Sequence, residues 1–357
     1  MEYQLEELSL EVTNECPLAC IHCSSGSGPG HWPGELTCLE HVSLVRQARE
    51  DLGATVLSFS GGNPLHCDHL VQLIDSAANL AYARILIYTV GYNREGPTIE
   101  SWPGLDVATQ YPTVTWIFSL HSPHALVNDK IMGTEGAHDN IITSIQYLVA
   151  QGQSVELHMV PMKPNYQDIP KMVALCERLG IEKLSLLRFV PQTRGLRNIN
   201  VLGMDKTDFA RLQVLIYNER QRESTVEIRA GCPIDFSHAM GLAPEKARPC
   251  HAGDDLILVR PTGEVFPCAA WKSMDSNDNV RDHSLAWIWE NSAVFNYVRD
   301  FKQEGYMNVE GCASCPFVHS CRTGCFAQRI HAYGGALWAL YSEWSDPLCP
   351  RGKQPRR

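Results

Sequence analysis

Three cysteines near the start of the chain, Cys16, Cys20 and Cys23, stand in C-x3-C-x2-C spacing within EVTNECPLACIHCSS. A loop this short brings three thiolates to one metal centre and supplies no fourth. Thiolates are the soft ligands of iron-sulfur clusters, and a four-iron cluster held by three cysteines keeps one iron open to a ligand that is not protein. An open iron is a place for chemistry. The competing assignment is a zinc site completed by His22.

The C-terminal part carries a second group: Cys250 and Cys268, then Cys312, Cys315, Cys321 and Cys325 in C-x2-C-x5-C-x3-C spacing, then Cys349. Cys232 stands a little upstream, beside Pro233. Fourteen cysteines in a chain of 357 residues that is 44% apolar are hard to explain as disulfides, because such a chain builds a core unaided and close cysteine spacings in a reducing compartment point to metal. Cys38, Cys67 and Cys176 fall on predicted helices or a helix start and read as small buried hydrophobes.

The elements that must position these residues follow from periodicity. Short β-branched or apolar runs at 8–12, 55–60, 84–89, 113–120, 154–160 and 183–189 alternate with stretches at 37–52, 68–81, 139–151 and 168–179 whose apolar residues recur at three- and four-residue steps. That is the pattern of parallel strands joined by crossover helices. A further amphipathic helix is expected at 205–222, after which cysteine, proline and glycine take over. The boundary between an N-terminal domain, 1–224, and a smaller one, 225–357, is therefore expected near Thr225. Residues 255–268 read as a hairpin about Pro261-Thr262-Gly263, which brings Cys250 and Cys268 together.

A formal net charge of -10 argues against a surface that tracks phosphates, so no nucleic acid is expected. The N-terminus has no basic n-region, and no run of about twenty apolar residues occurs. A cytoplasmic protein with no membrane partner is expected.

The first cysteine triad, placed directly after the first predicted strand, resembles the signature of the radical S-adenosylmethionine (SAM) superfamily. The resemblance implies an α/β fold, a partial (β/α)6 TIM-like barrel, with the site at the C-terminal ends of the strands. It extends to Gly61-Gly62-Asn63-Pro64, similar to the family's GGEP motif with Asn63 in place of Glu, and to Thr89-Val90-Gly91, similar to its TNG loop. The Asn63 amide oxygen still accepts a hydrogen bond, without charge. The SAM contacts implied are His22, Gly61, Gly62, Asn63, Pro64, Thr89, Ser119 in FSLHS and Arg188 in LLRFVPQTRG. The later cysteines resemble the SPASM domain, which holds two auxiliary 4Fe-4S clusters, so three clusters are implied. By that resemblance Cys250, Cys268 and Cys325 serve the first and Cys312, Cys315, Cys321 and Cys349 the second. Full ligation needs one more thiolate, and Cys232 is either that ligand or a hydrogen-atom donor near the substrate.

The chemistry implied is one-electron cleavage of SAM at the site of Cys16, Cys20 and Cys23, giving a 5'-deoxyadenosyl radical that abstracts a substrate hydrogen, with the auxiliary clusters accepting or relaying electrons. His121, His124, Asp129 and Asp235 lie near predicted strand ends or the domain junction as general-base candidates. Relatives with this C-terminal domain commonly modify ribosomally made peptides by crosslinking, epimerisation or oxidation. A dehydrogenase, epimerase or decarboxylase of a sugar, nucleoside or other small metabolite in natural-product biosynthesis is the alternative, and a non-catalytic electron carrier or zinc scaffold the second. A flavodoxin- or ferredoxin-type reductant is the implied electron donor. Only residues 1–7 precede the first predicted strand, so for a peptide substrate either a separate leader-peptide recognition protein or none is expected.

Overall fold

The computed structural model describes residues 3–231, 233–243, 249–274, 276 and 278–353. Among the described residues nine strands form one sheet in the order β7-β6-β5-β4-β3-β2-β1-β8-β9. They are β1 (Glu7–Thr13), β2 (Val56–Gly61), β3 (Arg84–Thr89), β4 (Val114–Ser119), β5 (Ser154–Met159), β6 (Lys183–Leu186), β7 (Glu227–Ala230), β8 (Leu256–Val259) and β9 (Val265–Phe266). Every neighbouring pair from β7 to β8 is parallel, and only β9 runs antiparallel to its neighbour. Consecutive parallel strands require long crossovers, and helices fill them.

Periodicity marks the helices, and side-chain caps fix the starts of some of them. In Cys38–Glu50, Thr37 and Glu40 make a reciprocal capping box, and His41, Leu44, Val45 and Ala48 are buried on one face. Asp205 caps Lys206–Gln221 by accepting from Asp208 N at 2.8 Å. The expected starts at 68 and 139 shift slightly, to Leu70 and Ala137, and neither of these helices has a side-chain cap. On β1, Leu8, Leu10 and Val12 enter the core between sheet and helices, while the alternate residue Glu7 accepts from Ser58 Oγ of β2 at 2.6 Å.

Two findings go beyond the sequence pattern. The sheet continues past residue 225, since β7 pairs with β6 and β8 pairs with β1. The hairpin expected at 255–268 is there as β8 and β9, with Gly263 at φ +95°, but β8 is also a barrel strand. The C-terminal part is also more helical than its composition suggested, with helices Leu285–Asn291, Ala293–Gln303 and Phe326–Tyr333 around a second apolar core that includes Phe301, Phe326 and Trp271.

Candidate active site

The loop after β1 carries Cys16, Cys20 and Cys23 at the C-terminal mouth of the sheet. Its backbone is tied down from several sides. Cys16 N donates to Gly28 O at 2.9 Å, Cys23 N to Cys20 O at 3.2 Å and Ile21 N to Ile131 O at 2.9 Å. The segment after β6 clasps it: Thr193 Oγ1 donates to Cys23 O at 2.7 Å, Arg194 Nε to Cys20 O at 3.0 Å and Asn198 Nδ2 to Ile21 O at 3.0 Å. Thr193 holds φ at +40°, a strained value that this clasp sustains. Sequence reasoning missed all three clasp residues, which lie far from the cysteines in the chain.

The thiols respond to one another. Burial pushes Cys16 up to about 11, with the Cys23 charge adding and Arg194 opposing. Cys20 is pushed up by burial and then by Cys16 and Cys23. Among the described residues, however, no three His, Cys, Asp or Glu side chains converge as ligands of a single ion do. The donors that the loop offers are all sulfur, the ligand type of iron-sulfur clusters.

The glycine pair is a packing requirement. Gly62 N donates to Thr13 O at 2.6 Å and Asn63 N to Glu15 O at 2.8 Å. A Cβ on Gly62 would lie 2.0 Å from Glu15 O, and one on Gly61, at φ +123°, would lie 2.3 Å from Thr13 O. Only glycine lets β2 approach the cysteine loop this closely. Asn63 is satisfied at both ends, accepting from Thr89 Oγ1 at 2.7 Å and donating to Tyr92 O. Pro64 opens the short turn Pro64–His66. The mouths of β1, β2 and β3 are thus knit together by the residues expected at 61–64 and Thr89. Glu11, on β1, adds a tie across the chain: with Ser25 it binds Lys272, and both charged side chains are buried.

The remaining expected SAM contacts divide. His22 packs edge-on against His121 with ring centroids 4.3 Å apart, and burial pushes its imidazole down to about 4. Ser119 ends β4 in register with His158 of β5. Arg188 is engaged elsewhere: it grips Asp346 in two bonds of 2.8 and 2.6 Å and donates to Pro233 O at 2.8 Å. The four base candidates hold the frame. His121 Nδ1 accepts from Val160 N, and His124 lies 3.7 Å from Asp168 and 3.1 Å from Lys171. Asp129 accepts from Gly136 and His138 backbone, and Asp235 from Arg220 and Ser237.

The C-terminal thiols gather in two sets. Cys312, Cys315, Cys321 and Cys349 line one cavity with Phe317 and Val318. Cys268 is pushed up by burial and then by Cys250 and Cys325, which places those three in one neighbourhood. Cys232 lies outside the described residues. Between Cys321 and Cys325 the chain makes three left-handed residues in succession, Arg322 at φ +49°, Thr323 at +73° and Gly324 at +85°. This reversal carries Cys325 away from the cavity of Cys321 and toward Cys250. Cys67 and Cys176 are buried, whereas Cys38 is partly exposed at its helix start.

The Radical SAM superfamily pattern matches residues 10–176, and the pattern of the SPASM iron-sulfur cluster-binding domain matches 250–316. The PqqA peptide cyclase of Streptomyces rochei is 28% identical over 353 residues, covering 98% of this chain and 89% of that protein. Streptococcus suis SuiB bound to S-adenosylmethionine superposes with a TM-score of 0.75 at 19% identity, over 97% of this chain and 77% of SuiB. Native anSMEcpe with bound AdoMet and Cp18Cys peptide gives 0.69 at 15% identity, over 98% and 94%. The chain belongs to the radical SAM superfamily, as an enzyme that draws on S-adenosylmethionine and 4Fe-4S clusters and carries a SPASM domain beyond its barrel.

Proposed function

We propose that this enzyme modifies a peptide, through hydrogen abstraction started at the mouth of the barrel. The observation that carries the reading is the near full-length similarity to a protein named as a peptide cyclase, joined to three separate gatherings of thiols. In this reading Cys16, Cys20 and Cys23 hold the cluster with the open iron. Cys250, Cys268 and Cys325, with Cys232, hold the first auxiliary cluster, and Cys312, Cys315, Cys321 and Cys349 the second. His22, Gly61, Gly62, Asn63, Pro64, Thr89 and Ser119 form the SAM side of the site.

With SAM bound and an electron supplied, the first cluster provides one-electron cleavage of SAM and removal of a substrate hydrogen atom. The chain's own residues do the positioning. Arg194, Thr193 and Asn198 fix the cysteine loop by its carbonyls, and Arg194 places positive charge beside the thiolates. The Gly61-Gly62 backbone and the Asn63 bridge hold the loops of β1, β2 and β3 at a fixed spacing. The buried Glu11–Lys272 pair links the first cysteine loop to the segment after Cys268.

The division near residue 225 is one of ligand supply in this reading, because the sheet itself spans it. A flavodoxin- or ferredoxin-type donor would supply electrons, and a separate recognition protein would present the peptide leader. No helix among the described residues is long and apolar enough to cross a membrane, and we place the enzyme in the cytoplasm, where thiols stay reduced. The test is anaerobic reconstitution with SAM, a reductant and a precursor peptide encoded beside the gene. A mass change in the peptide coupled to SAM cleavage is expected. Turnover of a sugar or nucleoside, with the peptide left intact, would overturn the substrate class.

A further inference from the structure

The cavity lined by Cys312, Cys315, Cys321 and Cys349 is also walled by a histidine, His238. It sits in the short turn Ser237–Met240 and is 2% exposed. Its ring is held on two sides, stacked on Phe236 at 5.8 Å and set edge-on to Phe317 at 5.2 Å. Phe317 lies between Cys315 and Cys321 in the chain, so the imidazole is fixed against the cysteine-bearing segment. His238 Nδ1 is buried and has no hydrogen-bond partner among the described residues.

Buried polar atoms in native proteins are almost always paired. The other polar side chains on this wall are already engaged with protein. Thr323 Oγ1 accepts from Arg329 at 3.0 Å, Ser345 Oγ donates to Lys353 O at 2.8 Å, and the Asp346 oxygens accept from Arg188, Cys325 N and Leu348 N. What remains on the wall is sulfur. In the Nδ1–H tautomer the imidazole offers that orphaned nitrogen as a donor.

We propose that His238 donates a hydrogen bond to sulfur of the cluster held by Cys312, Cys315, Cys321 and Cys349, and thereby raises the reduction potential of that cluster above what the four thiolates alone would set. The inference rests on the second-auxiliary-cluster assignment above. Hydrogen bonds to cluster sulfur stabilise the reduced, more negative state. His238 is a positioning residue that favours electron acceptance at this end of the molecule.

The test is an EPR-monitored redox titration of the reconstituted full chain, wild type against His238→Phe, which keeps the ring stack without the N–H, and His238→Asn, which restores a donor. A lower midpoint for one auxiliary cluster in His238→Phe, with the other clusters unmoved and His238→Asn shifted back toward wild type, is the expected result. An unchanged midpoint in His238→Phe with full iron content overturns the inference alone. A Cys315→Ala variant that retains all wild-type iron overturns the cluster assignment and the inference with it. A measurement on the unmutated chain guards against misfolding: replacing histidine 14N by 15N must alter the hyperfine spectrum of the reduced auxiliary cluster, and an unaltered spectrum counts against His238.

Discussion

Arg188 and Asp346, 158 residues apart in sequence, form a two-bond ion pair of 2.8 and 2.6 Å with both side chains almost fully buried. The pair stands between the two C-terminal thiol sets. Asp346 also accepts from Cys325 N at 2.8 Å and presses its charge on Cys312, Cys321 and Cys349, while Arg188 holds Cys325 down against the burial that pushes it up to about 12. Removing one partner of a buried pair leaves a desolvated charge, at a cost of about 3–5 kcal/mol. Asp346→Ala should lose stability on that scale and bind less iron. Urea unfolding of the anaerobic protein, with iron analysis, checks this; a variant as stable and iron-rich as wild type would show that the pair is not part of the frame.

The thiol sets make a separable prediction about metal content. Cys20→Ala should abolish SAM cleavage and remove about one third of the iron, because each cluster carries an equal share. Cys315→Ala should remove at most about one third and leave SAM cleavage measurable. Iron and sulfide assays beside a SAM-cleavage assay read both. Equal losses of every cluster in both variants would show that the sets do not load independently.

What the sequence shows of this site is what is local in the chain. Cys16, Cys20 and Cys23, the glycine pair and the β1 to β6 periodicity each occupy a few consecutive residues, so spacing alone exposes them. The clasp by Thr193, Arg194 and Asn198 and the Arg188–Asp346 pair join positions more than 150 apart, and no periodicity reports such a contact. Strands β7 and β8 are only four residues each, too short to stand out beyond a cysteine-rich boundary. Helix Ala293–Gln303 hides for another reason: its buried face includes Arg299 and Lys302, whose charged ends donate to Gly253 O at 2.8 Å and Ala252 O at 2.7 Å. A pattern reader counts them as solvent-facing.

The mouth of the barrel should not tolerate a methyl group at Gly62. The obstacle is a backbone carbonyl, Glu15 O at 2.0 Å, which cannot swing aside as a side-chain end does. Gly62→Ala must therefore move the cysteine loop or β2. We expect SAM cleavage to fall by an order of magnitude or more, since small misplacements of reacting groups cost about 100-fold. Asn63→Asp should act at the same place in a milder way, because it sets an oxygen against Tyr92 O in place of a donor, costing about 1–3 kcal/mol. SAM-cleavage kinetics decide both, and a Gly62→Ala variant with wild-type rates would mean the close approach is dispensable.

Acid should destabilise the barrel through histidines buried without charge. His41, fully buried on helix Cys38–Glu50 and sharing a 2.9 Å contact with His69, is pushed down to about 3 by burial and then by the His69 charge. His158 on β5 is pushed down to about 3 by burial and then by Arg229. In the unfolded chain both return to about 6.5. Between those values the unfolded state binds a proton that the folded state refuses, so unfolding gains ground as pH falls below about 6.5 and each group costs about 2 kcal/mol of stability by pH 5. Above that window both states are neutral and neither group contributes. The urea midpoint of the anaerobic protein should be flat from pH 8 to about 7 and drop toward pH 5, and His41→Gln should lessen the drop by about one proton's worth. A midpoint that holds level down to pH 5 would mean that both imidazoles protonate in place, and that the burial of His41 against His69 opens without cost.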